Sequence, residues 1–138
     1  MSEDPGAPAH EPARGVVVAH GELADSLVGA VRQIVGVAPE ALVGVPNVGV
    51  GREELCERTE RALSGARNLV FTDLPGGSCH LAAMIVTRKT PDVPVITGVN
   101  LPMLLDFVFN RALGFEELVP RLAEKGRAAI SGNRPGPC

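Results

Sequence analysis

The chain has 138 residues, a formal net charge of −3, 45% hydrophobic residues and neither Trp nor Tyr. That length suits one domain with its own core, and the scarcity of aromatics makes the core aliphatic. With Lys89 and Lys125 as the only lysines, no basic block and only 3% aromatic residues on which bases could stack, the composition argues against a nucleic-acid partner.

Residues 1–14 are acidic and proline-rich, with no basic n-region and no apolar h-region. They read as a disordered tail and not as a signal peptide. His10 falls in that tail and reads as a solvated residue. Residues 132–138 form a second tail by the same reasoning, which leaves one folded domain over 15–131. No apolar run approaches membrane-spanning length, so direct membrane insertion is not expected. Cys56, Cys79 and Cys138 show no Cys-x-x-Cys spacing and no even disulfide framework, which suits a reducing cytoplasm.

Between the tails, strands and helices alternate. The β-branched run 16–19 is the first strand, and it ends on His20-Gly21. Leu23, Leu27, Ala30, Val31 and Ile34 recur at helical spacing, with Gly36 as a stop. Residues 41–45 form a weaker second strand, interrupted by Gly44 and closed by Pro46-Asn47. Leu55, Cys56, Thr59, Ala62 and Leu63 trace a helix face that Ser64-Gly65 ends. Residues 69–72 are the third strand, ending at Asp73, and Leu74-Pro75-Gly76-Gly77 turns into a helix over 78–88 that is apolar nearly all round. Such a helix packs under the sheet and a neighbour, or at a subunit interface. Residues 93–97 are the fourth strand, with Pro94 tolerable near its start. Gly98-Val99-Asn100 leads into a helix with Pro102 in its first turn, and a last amphipathic helix covers 115–130, its start irregular because of Pro120. This order predicts an α/β fold: a single-domain three-layer sandwich with a mainly parallel central sheet and helices on both faces.

In such sheets chemistry collects outside the carboxyl ends of the strands. That edge receives His20-Gly21, then Asp73 with Gly76-Gly77-Ser78, then Gly98-Val99-Asn100. His20 carries an imidazole, and a neutral ring nitrogen is a competent nucleophile towards phosphorus. The plainer alternative for His20 is a helix cap or a strand-end filler. Asp73 can hold one ring nitrogen and leave the other free, or serve as an ordinary turn aspartate. Gly21, Gly76, Gly77 and Ser78 can present N–H groups to an anion at a helix start, although a Gly-Gly pair with a Ser cap is also a common turn. Asn100 and His80 count as site lining. Cys79 reads as semi-buried. Side chains of adjacent Cys79 and His80 point about a third of a turn apart on a helix, so sharing one ion is awkward and no metal is expected.

Three stretches carry a resemblance: Val17-Val18-Ala19-His20-Gly21-Glu22-Leu23-Ala24, Phe71-Thr72-Asp73-Leu74-Pro75-Gly76-Gly77-Ser78, and Val95-Ile96-Thr97-Gly98-Val99-Asn100-Leu101-Pro102-Met103-Leu104. In this order they resemble the enzyme IIA domain of the mannose-type (mannose/fructose/sorbose) sugar phosphotransferase system, over about 16–130. The resemblance implies a phosphotransferase that acts through a phosphohistidine at His20 and needs no cofactor. It implies the histidine phosphocarrier protein as donor, a IIB component of a sugar permease as acceptor, an aspartate (Asp73) bonded to the histidine, and a homodimer. Ala19 replaces the small polar residue many relatives carry there, and Cys79-His80 replace the proline or small residues that commonly follow Gly-Gly-Ser. No IIB domain is expected within the chain, so the acceptor is expected to be a separate protein or to be absent. The alternatives are a stand-alone regulatory phosphoprotein and the phosphoryl-donor subunit of a dihydroxyacetone kinase. A receiver-like module phosphorylated on Asp73 is set aside, because no acidic pair closes the first strand and neither lysine ends a strand.

Overall fold

A computed structural model describes residues 10–137 of the chain. Its elements in order are β1 (Arg14–Ala19), α1 (Leu23–Ile34), a short 3-10 turn (Pro39–Ala41), β2 (Leu42–Pro46), α2 (Arg52–Ala62), β3 (Asn68–Thr72), α3 (Gly77–Arg88), β4 (Val95–Thr97), α4 (Leu101–Phe109) and α5 (Phe115–Ala128). The four strands form one sheet in the order β2-β1-β3-β4, and every pairing is parallel. Parallel pairing requires crossovers, and α1, α2 and α3 supply them.

Side-chain alternation along β1 divides the core in two. Val17 and Ala19 face a cluster with Val28 and Val31 of α1, Leu104 and Phe107 of α4, and Leu118 and Leu122 of α5. Val16 and Val18 face the other side, with Leu55 of α2 and Cys79, Ala82 and Ala83 of α3. The three-layer sandwich expected from the strand and helix order is therefore what forms. Its one aromatic pair, Phe71 against Phe107, meets edge to face with ring centroids 5.3 Å apart.

The departures from the sequence reading have physical causes. Gly44 is a contact and not an interruption: a Cβ there would stand 2.6 Å from Asp25 Oδ1 and 3.0 Å from the Ala24 carbonyl carbon, so its absence lets α1 lie close on β2. Along α1 the buried stripe is Ala24, Val28 and Val31, while Leu23 and Ile34, expected on the inner face, are exposed. β4 is shorter than expected; Pro94 has no N–H to give, and its carbonyl accepts from Val70 N–H at 3.0 Å. Pro120 sits inside α5, which runs through it without the irregular start expected of it. Finally, β1 begins at Arg14, and Ala13, grouped by composition with a tail, is fully buried. Ala13 N–H donates to the Arg111 carbonyl at 2.9 Å, which fixes the segment before β1.

Candidate functional site

β1 and β3 are adjacent, with Val18 opposite Thr72, so the residues that follow each strand emerge side by side on the carboxyl rim. His20 follows β1 and Asp73 follows β3. The His20 backbone N–H donates to Asp73 Oδ2 at 2.9 Å, and His20 Nδ1 lies 2.9 Å from the same oxygen. Asp73 Oδ1 accepts from Leu74 N–H at 3.0 Å. An ionised carboxylate only accepts, so the Nδ1 contact requires the proton on Nδ1 and leaves a lone pair on Nε2 of the neutral ring. Nε2 takes no hydrogen bond from any described residue. The His20 side chain is 42% exposed and that of Asp73 only 11%. The less exposed partner thus orients the more accessible one.

The charge on Asp73 is maintained against its surroundings. Burial works to raise its pKa, but hydrogen bonds from the His20 backbone and ring, together with the attraction of the ring in its charged form, outweigh burial. The carboxyl is held below its ordinary range and remains an anion beside the imidazole.

The other side of the ring meets the start of α3. Gly77 has φ +89°, and a Cβ there would stand 3.3 Å from His20 Cε1 and 3.4 Å from Nε2. Only glycine combines that backbone conformation with so close an approach. Gly76, at the N-cap, brings no side chain to satisfy the first-turn N–H groups. Those groups and the helix dipole make the rim beside Nε2 favourable for negative charge.

Asn47, read from sequence only as the close of the second strand, joins the site. Gly21, at φ +58°, donates its N–H to Asn47 Oδ1 at 2.7 Å, and Asn47 Nδ2 donates to Ser78 Oγ at 3.3 Å. Asn47 therefore links the loop after β1 to the first turn of α3. The signal was available in the topology: β2 lies parallel beside β1, so its carboxyl end reaches the same rim.

The remaining expectations divide. His80 lines an open depression with Arg52, Gly76, Gly77, Ser78, Leu81 and Met84. Its Nδ1 lies 3.0 Å from Thr72 Oγ1, which in turn bonds Thr97 Oγ1 at 2.9 Å. It braces α3 against β3 and β4 from beside the His20 pair. Asn100, expected as lining, is occupied elsewhere: it caps α4 by accepting from Met103 N–H at 3.1 Å and donates to the Gly126 carbonyl at 2.9 Å. No described contact joins it to His20 or Asp73. Cys79 is fully buried and not semi-buried, because α3 lies flat on the sheet through Cys79, Ala82 and Ala83. Burial pushes its thiol up to about 11, the Asp73 charge adds to that, and a hydrogen bond with Ser78 opposes it.

The chain is thus a parallel α/β sandwich that carries a carboxylate-held histidine on its carboxyl rim. A family profile described as "PTS system fructose IIA component" matches residues 15–122, and the chain belongs to that family. It is a component of a sugar phosphotransferase system (PTS), and IIA proteins of that system are phosphotransferases. The fold is shared with phosphotransferase system component EIIA from Streptococcus agalactiae (TM-score 0.80, 24% identity, covering 87% of this chain and 96% of that one). It is also shared with the mannose/sorbose specific IIA subunit from Enterococcus faecalis (TM-score 0.75, 22% identity, 93% and 99% covered). No match was found among curated proteins. Among the described residues no helix is long and apolar enough to cross a membrane.

Proposed function

We propose that the protein is a phosphoryl carrier in which His20 accepts phosphate from the histidine phosphocarrier protein and passes it to a IIB component of a sugar permease. The observation that carries this reading is the 2.9 Å contact between His20 Nδ1 and Asp73 Oδ2, with Nε2 left to the accessible side. Nε2 attacks the phosphorus of the donor's phosphohistidine; the P–N bond of the donor breaks and its electron pair stays on the departing imidazole. The new P–Nε2 bond leaves positive charge on the His20 ring, which Asp73 stabilises without taking the proton. The phosphoryl group brings about −1.5 to −2 charge by analogy with other phospho-residues. Gly76, Gly77 and Ser78 at the start of α3 receive it with N–H or hydroxyl donors on this reading, whereas Gly21, expected among them, already gives its N–H to Asn47 Oδ1.

Transfer between two proteins also needs a surface on which they meet. Val48 and Leu74, next in sequence to Asn47 and Asp73, are 57% and 53% exposed, and Leu81 and Met84 are exposed on α3. Apolar side chains standing out beside a reactive imidazole suit a protein partner better than a small substrate. On this reading the protein works in the cytoplasm.

The test is incubation with phosphoenolpyruvate, enzyme I and the phosphocarrier protein, followed by peptide mass spectrometry. An acid-labile phosphoryl group is expected on His20, and none on His20→Ala. Labelling that persists in His20→Ala, or that maps to Asp73, ends the proposal. Offering the labelled protein to a IIB component then reads the onward step: chase of the label into IIB supports uptake, and retention supports a signalling destination.

A further inference from the structure

We propose that His20, Asp73 and Cys79 form a binding site for a zinc-like divalent cation, whose occupation switches off the phosphoryl acceptor. One ring nitrogen of His20, one carboxylate oxygen of Asp73 and Cys79 Sγ all lie within 4.8 Å of one another. The three residues come from the end of β1, the end of β3 and the first turn of α3, so the fold assembles the cluster from distant stretches of chain. Nitrogen, oxygen and sulfur donors together are a set that zinc accepts. With Zn–N near 2.0 Å and Zn–S near 2.3 Å, neighbouring donors around a tetrahedral ion stand roughly 3.3–3.5 Å apart. The cluster therefore has to close by no more than about 1.5 Å to reach that geometry. Nδ1 and Oδ2 are already 2.9 Å apart, and the exposed flank of His20 leaves a fourth position to water.

An outer layer is present too. Ser78, next to Cys79 in the first turn of α3, accepts from Asn47 Nδ2 at 3.3 Å, which sets a polar group beside an otherwise apolar contact. His80, the other half of the adjacent pair, is not among the donors that lie within 4.8 Å of one another.

Binding is balanced simply. The cation takes the lone pair of Nδ1, an Asp73 oxygen and the Cys79 thiolate, and the thiol proton passes to solvent. The ring proton that Nδ1 carried moves to Nε2. A protonated Nε2 has no lone pair for phosphorus, so the same imidazole cannot hold the metal and accept phosphate. Linkage makes the exclusion mutual: phosphorylation must weaken metal binding by the factor by which metal disfavours phosphorylation. The blocking half of the proposal rests on the phosphoryl-carrier reading, and the binding half does not.

The experiment titrates the full chain with Co²⁺ as a visible stand-in and then with Zn²⁺ in competition. One ion per chain is expected, with a thiolate-to-cobalt charge-transfer band in the near ultraviolet. Cys79→Ser and Cys79→Ala should both lose that band and bind Zn²⁺ at least about 100-fold more weakly, since even outer partners of metal ligands cost 10–100-fold. Both variants should keep the helical circular dichroism and the phosphoryl labelling of the parent, and Zn²⁺ should slow labelling of the parent alone. Absence of the band, a band retained in both variants, or equal inhibition of parent and variants overturns the proposal. A chain that binds cobalt through Cys79 but never labels, even without zinc, refutes the carrier reading and leaves the metal site standing.

Discussion

The two rims of the sheet use their polar side chains in opposite ways. At the amino rim, Arg67 donates to the carbonyls of Glu11 (2.6 Å), Arg111 (3.2 Å) and Leu113 (2.6 Å), and its guanidinium lies 4.3 Å from the centre of the Phe115 ring. Arg111 reaches the Ala13 carbonyl at 2.7 Å, and Arg14 reaches those of Ala62 and Glu40. These forks are consumed in tying loops together. At the carboxyl rim, Asp73 gives one oxygen to the His20 backbone and ring together and the other to Leu74, while Nε2 remains open. Polar groups engaged on every side make architecture. A group engaged on one side and accessible on the other can do chemistry.

Substitutions can test that contrast. The largest effect after removal of His20 itself is expected from Asp73→Asn, which preserves shape and deletes charge. The rate of phosphoryl acceptance should fall about 100-fold or more, as when an orienting aspartate is neutralised in a catalytic triad. The same variant carries a pH signature. The Asp73 pKa is lowered in the folded state from an ordinary 3.8, so its contribution to stability is complete above that value and is lost as the pH falls through the lower folded value. Acid titration of stability should therefore be flatter for Asp73→Asn than for the parent below about pH 4, and parallel curves would show that the charge does not stabilise the fold.

Arg67→Ala should act at the other rim only. Loss of its carbonyl bonds and its ring contact should cost about 2–3 kcal/mol in urea denaturation, with phosphoryl labelling of the folded fraction unchanged. A slowed reaction without loss of stability would erase the distinction between the rims. The smallest effect is expected from Gly77→Ala, which forces a positive φ on a residue with a Cβ and crowds the imidazole. About 1 kcal/mol of stability and roughly tenfold in rate should be lost, the rate read by labelling kinetics and the stability by melting. Equal rates would mean that the ring has room to move aside.

Much of this arrangement was legible from residue patterns. The four strands, their parallel pairing and the placement of His20 and Asp73 on one rim follow from β-branched runs separated by helical periodicity. Gly76-Gly77 was legible as a helix start. Asn47 was not, because a Pro-Asn pair after a strand reads as a plain turn until the neighbour of that strand is known. Asn100 was misplaced for the converse reason: it follows β4 on the correct rim as the cap of α4, but α5 comes close enough to engage its amide. The depth of Cys79 depended on how flatly α3 lies, which the small residues Ala82 and Ala83 permit without announcing.

Periodicity and the ends of elements thus determined the fold class and that His20 and Asp73 follow strands ending on one rim, since both are local properties of the chain expressed through a simple topology. Which polar atoms are engaged, which stay accessible, and that Cys79 Sγ approaches His20 and Asp73 were decided only by tertiary packing. Those facts depend on distances between segments some fifty residues apart, and no spacing along one segment encodes such a distance.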